Sequence, residues 1–208
     1  MKRLLLTAVL VVTTCFLHAQ DSSWSVEANY PLNLVDGSAS RINNLNGILD
    51  LGLKYRFMEL GPVILGAGFN AAYLKNFDSF TYGSANGQDF VSDYKAKTYL
   101  FQPNLFIEVP IPGLMKLKPQ LGIGYSVILD DTYYNDGQMV VFDDSEIDGA
   151  VNLNLGVSYD ISSRIFIQLQ YDYLNIARKG ETNFNGESIP YDFKENGNIL
   201  KAGVGFRF

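Results

Sequence analysis

The run Val151, Asn152, Leu153, Asn154, Leu155, Gly156, Val157, Ser158, Tyr159, Asp160 decides how this chain is read. Every second residue is apolar or aromatic, and every intervening one is polar or glycine. Successive side chains of an extended strand point to opposite faces, so a period of two describes a strand with one greasy and one wet face. A helix would bring apolar residues back at intervals of three and four, and that pattern is absent here.

The same alternation recurs along the chain. Leu49, Leu51, Leu53, Tyr55 and Phe57 oppose Asp50, Gly52, Lys54 and Arg56, and Leu121, Ile123, Tyr125 and Val127 oppose Gln120, Gly122, Gly124 and Ser126. Ile165, Ile167, Leu169, Tyr171 and Tyr173 share a face opposite Gln168, Gln170 and Asp172, with Phe166 an exception on the polar side. Eight such segments are predicted, near 24–34, 45–57, 62–75, 95–109, 116–130, 148–160, 164–177 and 197–208. Most exceed the roughly five or six residues usual in soluble sheets and match what a tilted strand needs to cross a bilayer. The connections alternate in length. Short ones at 58–61, 110–115 and 161–163 separate long ones near 35–44, 76–94, 131–147 and 178–196, which are rich in Gly, Asn, Asp and Ser. Even strand number with short turns on one side and long loops on the other predicts an all-β fold, an eight-stranded antiparallel up-and-down transmembrane β-barrel.

Residues 1–20 have a basic start at Lys2 and Arg3, an apolar run and a small residue at Ala19, the pattern of a cleaved secretory signal peptide. The expected division is therefore 1–20 signal peptide and 21–208 barrel domain. An alternative treats Cys15 as a lipidated lipoprotein cysteine, although Thr14 before it is larger than such sites usually carry. Cys15 and His18 are the only cysteine and histidine, and both fall in the segment expected to be removed. The formal net charge of −6 becomes more negative once Lys2 and Arg3 are gone, which argues against nucleic acid or an anionic-lipid surface as the natural partner.

Period alone does not say which face meets lipid, because a soluble lipocalin-like calyx would turn the apolar face inward. Charge and bulk favour the membrane barrel. The polar face carries Glu27, Asp50, Lys54, Arg56, Glu108, Lys118, Asp172, Lys201 and Arg207, whose mixed signs can neutralise one another in a narrow lumen, with glycines making room. These charges are expected to form a plug, the alternative being a narrow pore or transport path for small solutes. Phe57, Tyr159 and Phe208 toward the turns, and Tyr30, Tyr73, Tyr99 and Tyr173 toward the loops, would form two aromatic girdles. A simple excess of β-forming aromatics is the other reading.

Lys201, Gly203, Phe206 and Phe208 resemble the C-terminal signal read by the outer-membrane barrel-assembly machinery: a polar residue, a glycine two later, and aromatic residues at the third-last and last positions. With the alternation over residues 24–208, the chain resembles the small outer-membrane β-barrel proteins that include the PorT-like and OmpA/OmpX-like barrels of Gram-negative bacteria. The resemblance implies location in the bacterial outer membrane and contact with its lipid and lipopolysaccharide, with the assembly machinery during biogenesis, and with a surface or periplasmic protein partner. Members serve as adhesins, anchors, small pores or proteins without assigned role, so fold leaves function open.

Without His or Cys after residue 18, Ser-His and Cys-His nucleophilic arrangements and imidazole or thiolate metal sites are excluded from the exported chain. No enzymatic activity and no cofactor are expected. Asp130, Asp131, Asp136, Asp143, Asp144, Glu146 and Asp148 form an acidic stretch without an intervening Lys or Arg. A hard cation is one reading of it and a solvated acidic loop is the favoured one. Met139, Val140, Val141 and Phe142 in its middle would extend the flanking strands into a protruding hairpin, or offer a strand edge to a partner.

Overall fold

The computed structural model describes residues 23–33, 46–85, 88–114, 116–135, 140–184 and 187–208. The expected signal peptide and the first long connection lie outside them. Eight strands follow in order: β1 (Trp24–Asn33), β2 (Asn46–Leu60), β3 (Val63–Ala85), β4 (Gln88–Glu108), β5 (Leu117–Asn135), β6 (Val140–Asp160), β7 (Ile165–Phe184) and β8 (Glu187–Arg207). Each pairs antiparallel with the next, and β8 returns to β1 through a ladder from Ser25↔Arg207 to Asn33↔Ile199, which closes the barrel.

The register fixes the geometry. Following paired residues from Ala28 through Leu51, Ala71, Phe101, Val127, Gly149 and Ala177 arrives at Lys194, whereas Ala28 itself pairs across the seam with Val204. The stagger is thus ten residues, from 194 to 204. Staggered closure inclines the strands by roughly 35–45° and leaves a lumen about as wide as the side chains that fill it.

The short turns are tight: Gly61 (φ 62°) follows β2, and Gly113 (φ 84°) sits in the β4–β5 turn beside the isolated bridge Ile111↔Leu114. Both φ values lie where only glycine is unstrained. The β2 strand runs three residues past its expected end because a bulge between Arg56 and Met58 breaks the alternation without ending the pairing. At Pro103 the β4–β5 ladder skips from Phe101↔Val127 to Asn104↔Gly124, as a residue without an N–H requires.

On the loop side the structure departs from the expectation. Most of the stretches 76–94, 131–147 and 178–196 are strand, not loop: β3 pairs with β4 as far as Ala85↔Gln88, β5 with β6 as far as Asn135↔Val140, and β7 with β8 as far as Phe184↔Glu187. Val140 and Phe142 do extend β6. A 21-residue strand such as β4 is about 70 Å long and, at about 40° of tilt, rises about 50 Å, twice the roughly 25 Å apolar band of such barrels. Above that band lipid no longer selects an apolar outer face, so the alternation fades while the pairing continues.

The apolar residues of the alternating pattern point outward. Leu105 is 60% exposed, Leu155 53% and Ile123 57%, with Leu51, Leu121, Leu153, Ile167 and Val204 similarly open, while the intervening charges are buried. The calyx-like arrangement is thereby overturned. Trp24 stacks on Tyr55 at 4.5 Å and Phe206 on Phe208 at 6.5 Å at the turn end, and Tyr73 stacks on Tyr99 at 5.0 Å toward the loop end. A guanidinium in the middle of that outward band is unfavourable by about 2–4 kcal/mol. Leu155→Arg is therefore expected to lower stability by that amount in urea titrations from lipid vesicles. An unchanged midpoint would mean that this face meets water.

Candidate functional site

The inward positions, odd-numbered on β1 and β8 and even-numbered on β2 to β7, converge in three tiers. Nearest the turns, the Arg56 guanidinium contacts Glu108 at 3.0 Å and donates to Ser25 Oγ at 3.2 Å, while Lys118 reaches Asp160 at 2.9 Å and lies 3.9 Å from Glu108. Arg207 donates to Asp160 and lies over the Phe166 ring, 4.2 Å from its centroid. Phe166 was the misfit on the polar face, and the structure explains it. Its ring covers Gly205, its direct cross-strand partner, where a Cβ would come within 2.1 Å of it. Phe106 does the same over its partner Gly66, with the Lys54 ammonium 5.6 Å from the ring centroid. Both rings occupy space vacated by a glycine and offer a π face to a cation.

In the middle tier Lys54 pairs with Glu27 at 2.8 Å and donates to Gln120 at 2.9 Å, and the amides of Gln168 and Gln170 also donate to Glu27. Just above, Lys201 is 1% exposed and lies between two carboxylates, 2.7 Å from Asp50 and 2.6 Å from Asp172, with a third bond to Gln102 at 2.9 Å. Asn29 and Asn70 donate to Asp50, and Asn154 donates to Asp172. Across the two tiers the carboxylates of Glu27, Asp50, Glu108, Asp160 and Asp172 match the cations of Lys54, Arg56, Lys118, Lys201 and Arg207 one for one. A gap lined by Lys54, Asn70, Asn104, Gln120, Asn154 and Gln170 has a volume of about 10 Å³, the space of about one water.

The third tier is mainly apolar, although Leu74 pairs with Thr98, Ile128 with Asp148 and Ile176 with Glu195. Leu100, Leu174 and Ile199 lie one inward position closer to the loops than Gln102, Asp172 and Lys201, and with Leu74, Ile128 and Ile176 they fill the lumen, each at most 1% exposed. Ala72, Ala96 and Ala150 complete the cluster. Polar-inside reasoning missed this tier. Its signal is present where the alternation fails, at Tyr99-Leu100-Phe101 and Val127-Ile128-Leu129, runs in which both faces are apolar.

The charges expected inside, Asp50, Lys54, Arg56, Glu108, Lys118, Asp172, Lys201 and Arg207, are thus brought together. Asp160, two positions beyond Ser158 on the same alternating face, joins them although it was not singled out. Of the C-terminal set, Lys201 is spent in this network, and Gly203 lies against Asn29, where a Cβ would meet the Ala28 carbonyl oxygen at 2.4 Å. Phe206 and Phe208 are half-buried on the outer side.

The acidic stretch does not converge. Asp130 is buried and accepts from Thr98, whereas Asp131 points to the other face, 3.7 Å from Lys97, with Ser145 donating to it at 3.4 Å. Glu146 pairs opposite Asp130 and Asp148 opposite Ile128. Adjacent residues in a strand diverge, so a run of acids legible in sequence is split by the pleat. Asp136 lies outside the described residues, as do the side chains of Asp143 and Asp144. Among the described residues no group of three His, Cys, Asp or Glu side chains is placed to hold a metal ion.

A closed antiparallel barrel, apolar outside and charge-paired inside, is the architecture of an integral outer-membrane protein. The chain belongs to the family of the outer membrane protein beta-barrel domain, whose model matches residues 7–208. No curated protein matches it in sequence. Solved barrels similar to it include three of bacterial origin. Neisserial surface protein A is 13% identical, covering 89% of this chain and 97% of that one, TM-score 0.48. The attachment invasion locus protein Ail of Yersinia pestis is 11% identical, covering 89% and 97%, TM-score 0.49. The N-terminal barrel domain of Pseudomonas aeruginosa OprF is 13% identical, covering 90% and 98%, TM-score 0.48.

Removing the Lys201 ammonium leaves Asp50 and Asp172 facing each other in a dry interior, and breaking a buried ion pair from one side costs about 3–5 kcal/mol. Lys201→Met is expected to lose that much in denaturant titrations. Adding Asp50→Asn and Asp172→Asn should recover most of it, and a triple variant no better than the single would contradict the pairing.

Proposed function

We propose that this protein is a non-enzymatic, non-conducting anchor of the outer membrane, whose barrel is sealed and whose paired hairpins project outward as the interacting part. The apolar tier carries this reading. An ion crossing the lumen would shed much of its hydration among Leu74, Leu100, Ile128, Leu174, Ile176 and Ile199, and constrictions of that kind close by dewetting. The balance of charges beneath it, five carboxylates against five cations, points the same way, since each cation already has an acidic partner. No cofactor is invoked. Lys201, Gly203, Phe206 and Phe208 would serve biogenesis through the barrel-assembly machinery, with Lys201 passing afterwards into the interior network. The projecting strands β3 to β8 suit contact with a surface protein partner.

A transport role draws on the same mixed charges and glycines, and single-channel recording in planar bilayers separates the two readings. The unmodified protein is expected to be silent, and Leu100→Ala with Leu174→Ala and Ile199→Ala to admit brief openings. Steady conductance of the unmodified protein, altered by Lys54→Glu or Arg56→Glu, would establish a pore instead.

A further inference from the structure

Toward the loop end the wall of the barrel divides. The β3–β4 ladder runs to Ala85↔Gln88, β4–β5 to Asp93↔Asn135 and β5–β6 to Asn135↔Val140, so β3 to β6 rise as one four-stranded sheet. The β7–β8 ladder runs to Phe184↔Glu187. Between these two bodies the β6–β7 ladder stops at Gly149↔Ala177, although β6 extends back to Val140 and β7 on to Phe184. A fork results, whose facing edges, 140–148 and 178–184, share no ladder among the described residues. On its other side β8 pairs with β1 only as far as Asn33↔Ile199.

A two-stranded ribbon is marginally stable at best in water, and three or more strands are needed for independent stability. Above Ala177 the β7–β8 pair is such a ribbon, and the strand it has just parted from is β6. Continuing the existing register decides what would meet across the fork. Asp148 falls opposite Arg178, Ser145 opposite Glu181 and Phe142 opposite Phe184, and no like charges face one another. The fork would thus close from an opposite-charge pair at its base to an aromatic pair at its tip, both of them stabilising cross-strand combinations. A slip of one residue in either direction would set Asp144 or Glu146 against Glu181 and exchange the inner and outer faces. Ile147, on the edge of the fork, is 76% exposed, more than any other large apolar residue among the described residues, as befits a side chain with a neighbouring strand on one side only.

We propose that β6 and β7 zip together above Gly149↔Ala177, so that the loop end of the barrel alternates between the forked form and a closed form whose ladder reaches Phe142↔Phe184. Closure adds the β7–β8 ribbon to the β3–β6 sheet and gives Ile147 a strand on its second side. It also withdraws two rows of backbone N–H and C=O groups, and covering an open edge is one way that strands are kept from pairing with other chains. The forked form is then the one able to bind through its edges. That last consequence rests on reading the hairpins as the interacting part; the zipping itself does not.

Disulfide trapping tests the closed form, because a bridge needs Cα atoms about 4.4–6.8 Å apart, which directly opposed residues of a ladder provide. The full-length folded protein in neutral detergent, with Cys15→Ser to remove its one cysteine, carries Ser145→Cys and Glu181→Cys. Each variant is first checked for the gel shift between boiled and unboiled samples that marks a closed barrel. Under a mild oxidant this in-register bridge, read by mass spectrometry of linked peptides, is expected to form about tenfold faster than the bridge between Ser145→Cys and Asn183→Cys, which are two residues out of register. Arg178→Glu sets two acids opposite one another and should slow the in-register bridge about fivefold. Adding Asp148→Lys should restore the rate. The proposal is overturned if the in-register bridge forms no faster than the other, if Arg178→Glu leaves its rate unchanged, or if Asp148→Lys fails to restore it. No partner is present in these reactions, so their outcome is separate from whether the hairpins bind one.

Discussion

Inside a bilayer a strand has no water to satisfy its backbone, so every N–H and C=O must find a partner in the protein. In this molecule the requirement is met at one seam, the pairing of β1 with β8 from Ser25↔Arg207 to Asn33↔Ile199. Without it two edges would lie in lipid. Closure with a ten-residue stagger also settles the strand tilt and the width of the lumen, and so decides how much side-chain volume the inward residues must supply.

The interior answers that demand in different ways at different depths. Near the turns, rings stand over glycines and cations stand over rings, as at Phe166 with Gly205 and Arg207. Deeper in, charges are admitted only in neutral combination, and Lys201 between Asp50 and Asp172 shows how dense that combination becomes. Toward the outer leaflet the filling turns to leucine and isoleucine. An ion pair removed from water needs close geometry and further hydrogen bonds to offset desolvation, and Gln102, Asn29, Asn70 and Asn154 provide them. The polar tiers and the leucine and isoleucine tier together fill the lumen.

Outside, the wall is sorted by what it touches. The apolar belt and its aromatic boundaries occupy the membrane, and the hairpins continue as paired strands into the aqueous phase. Those extensions satisfy their own backbone hydrogen bonds and so need no lipid to do it.

The sequence by itself determined the strand class, the even strand number, the alternation of turns and the identity of the lipid-facing residues, because a period of two is a local property that each strand carries alone. It also marked the eight inward charges by sign and parity. Three matters were decided only by tertiary structure. Which charge meets which depends on the stagger, since Asp50, Asp172 and Lys201 are brought together by register across strands far apart in the chain. The apolar tier depends on stacking single inward residues from several strands at one depth, and each of them reads locally as a lapse in the pattern. The projecting hairpins depend on pairing that persists after the membrane has stopped imposing alternation, so the signal that names a strand disappears before the strand does.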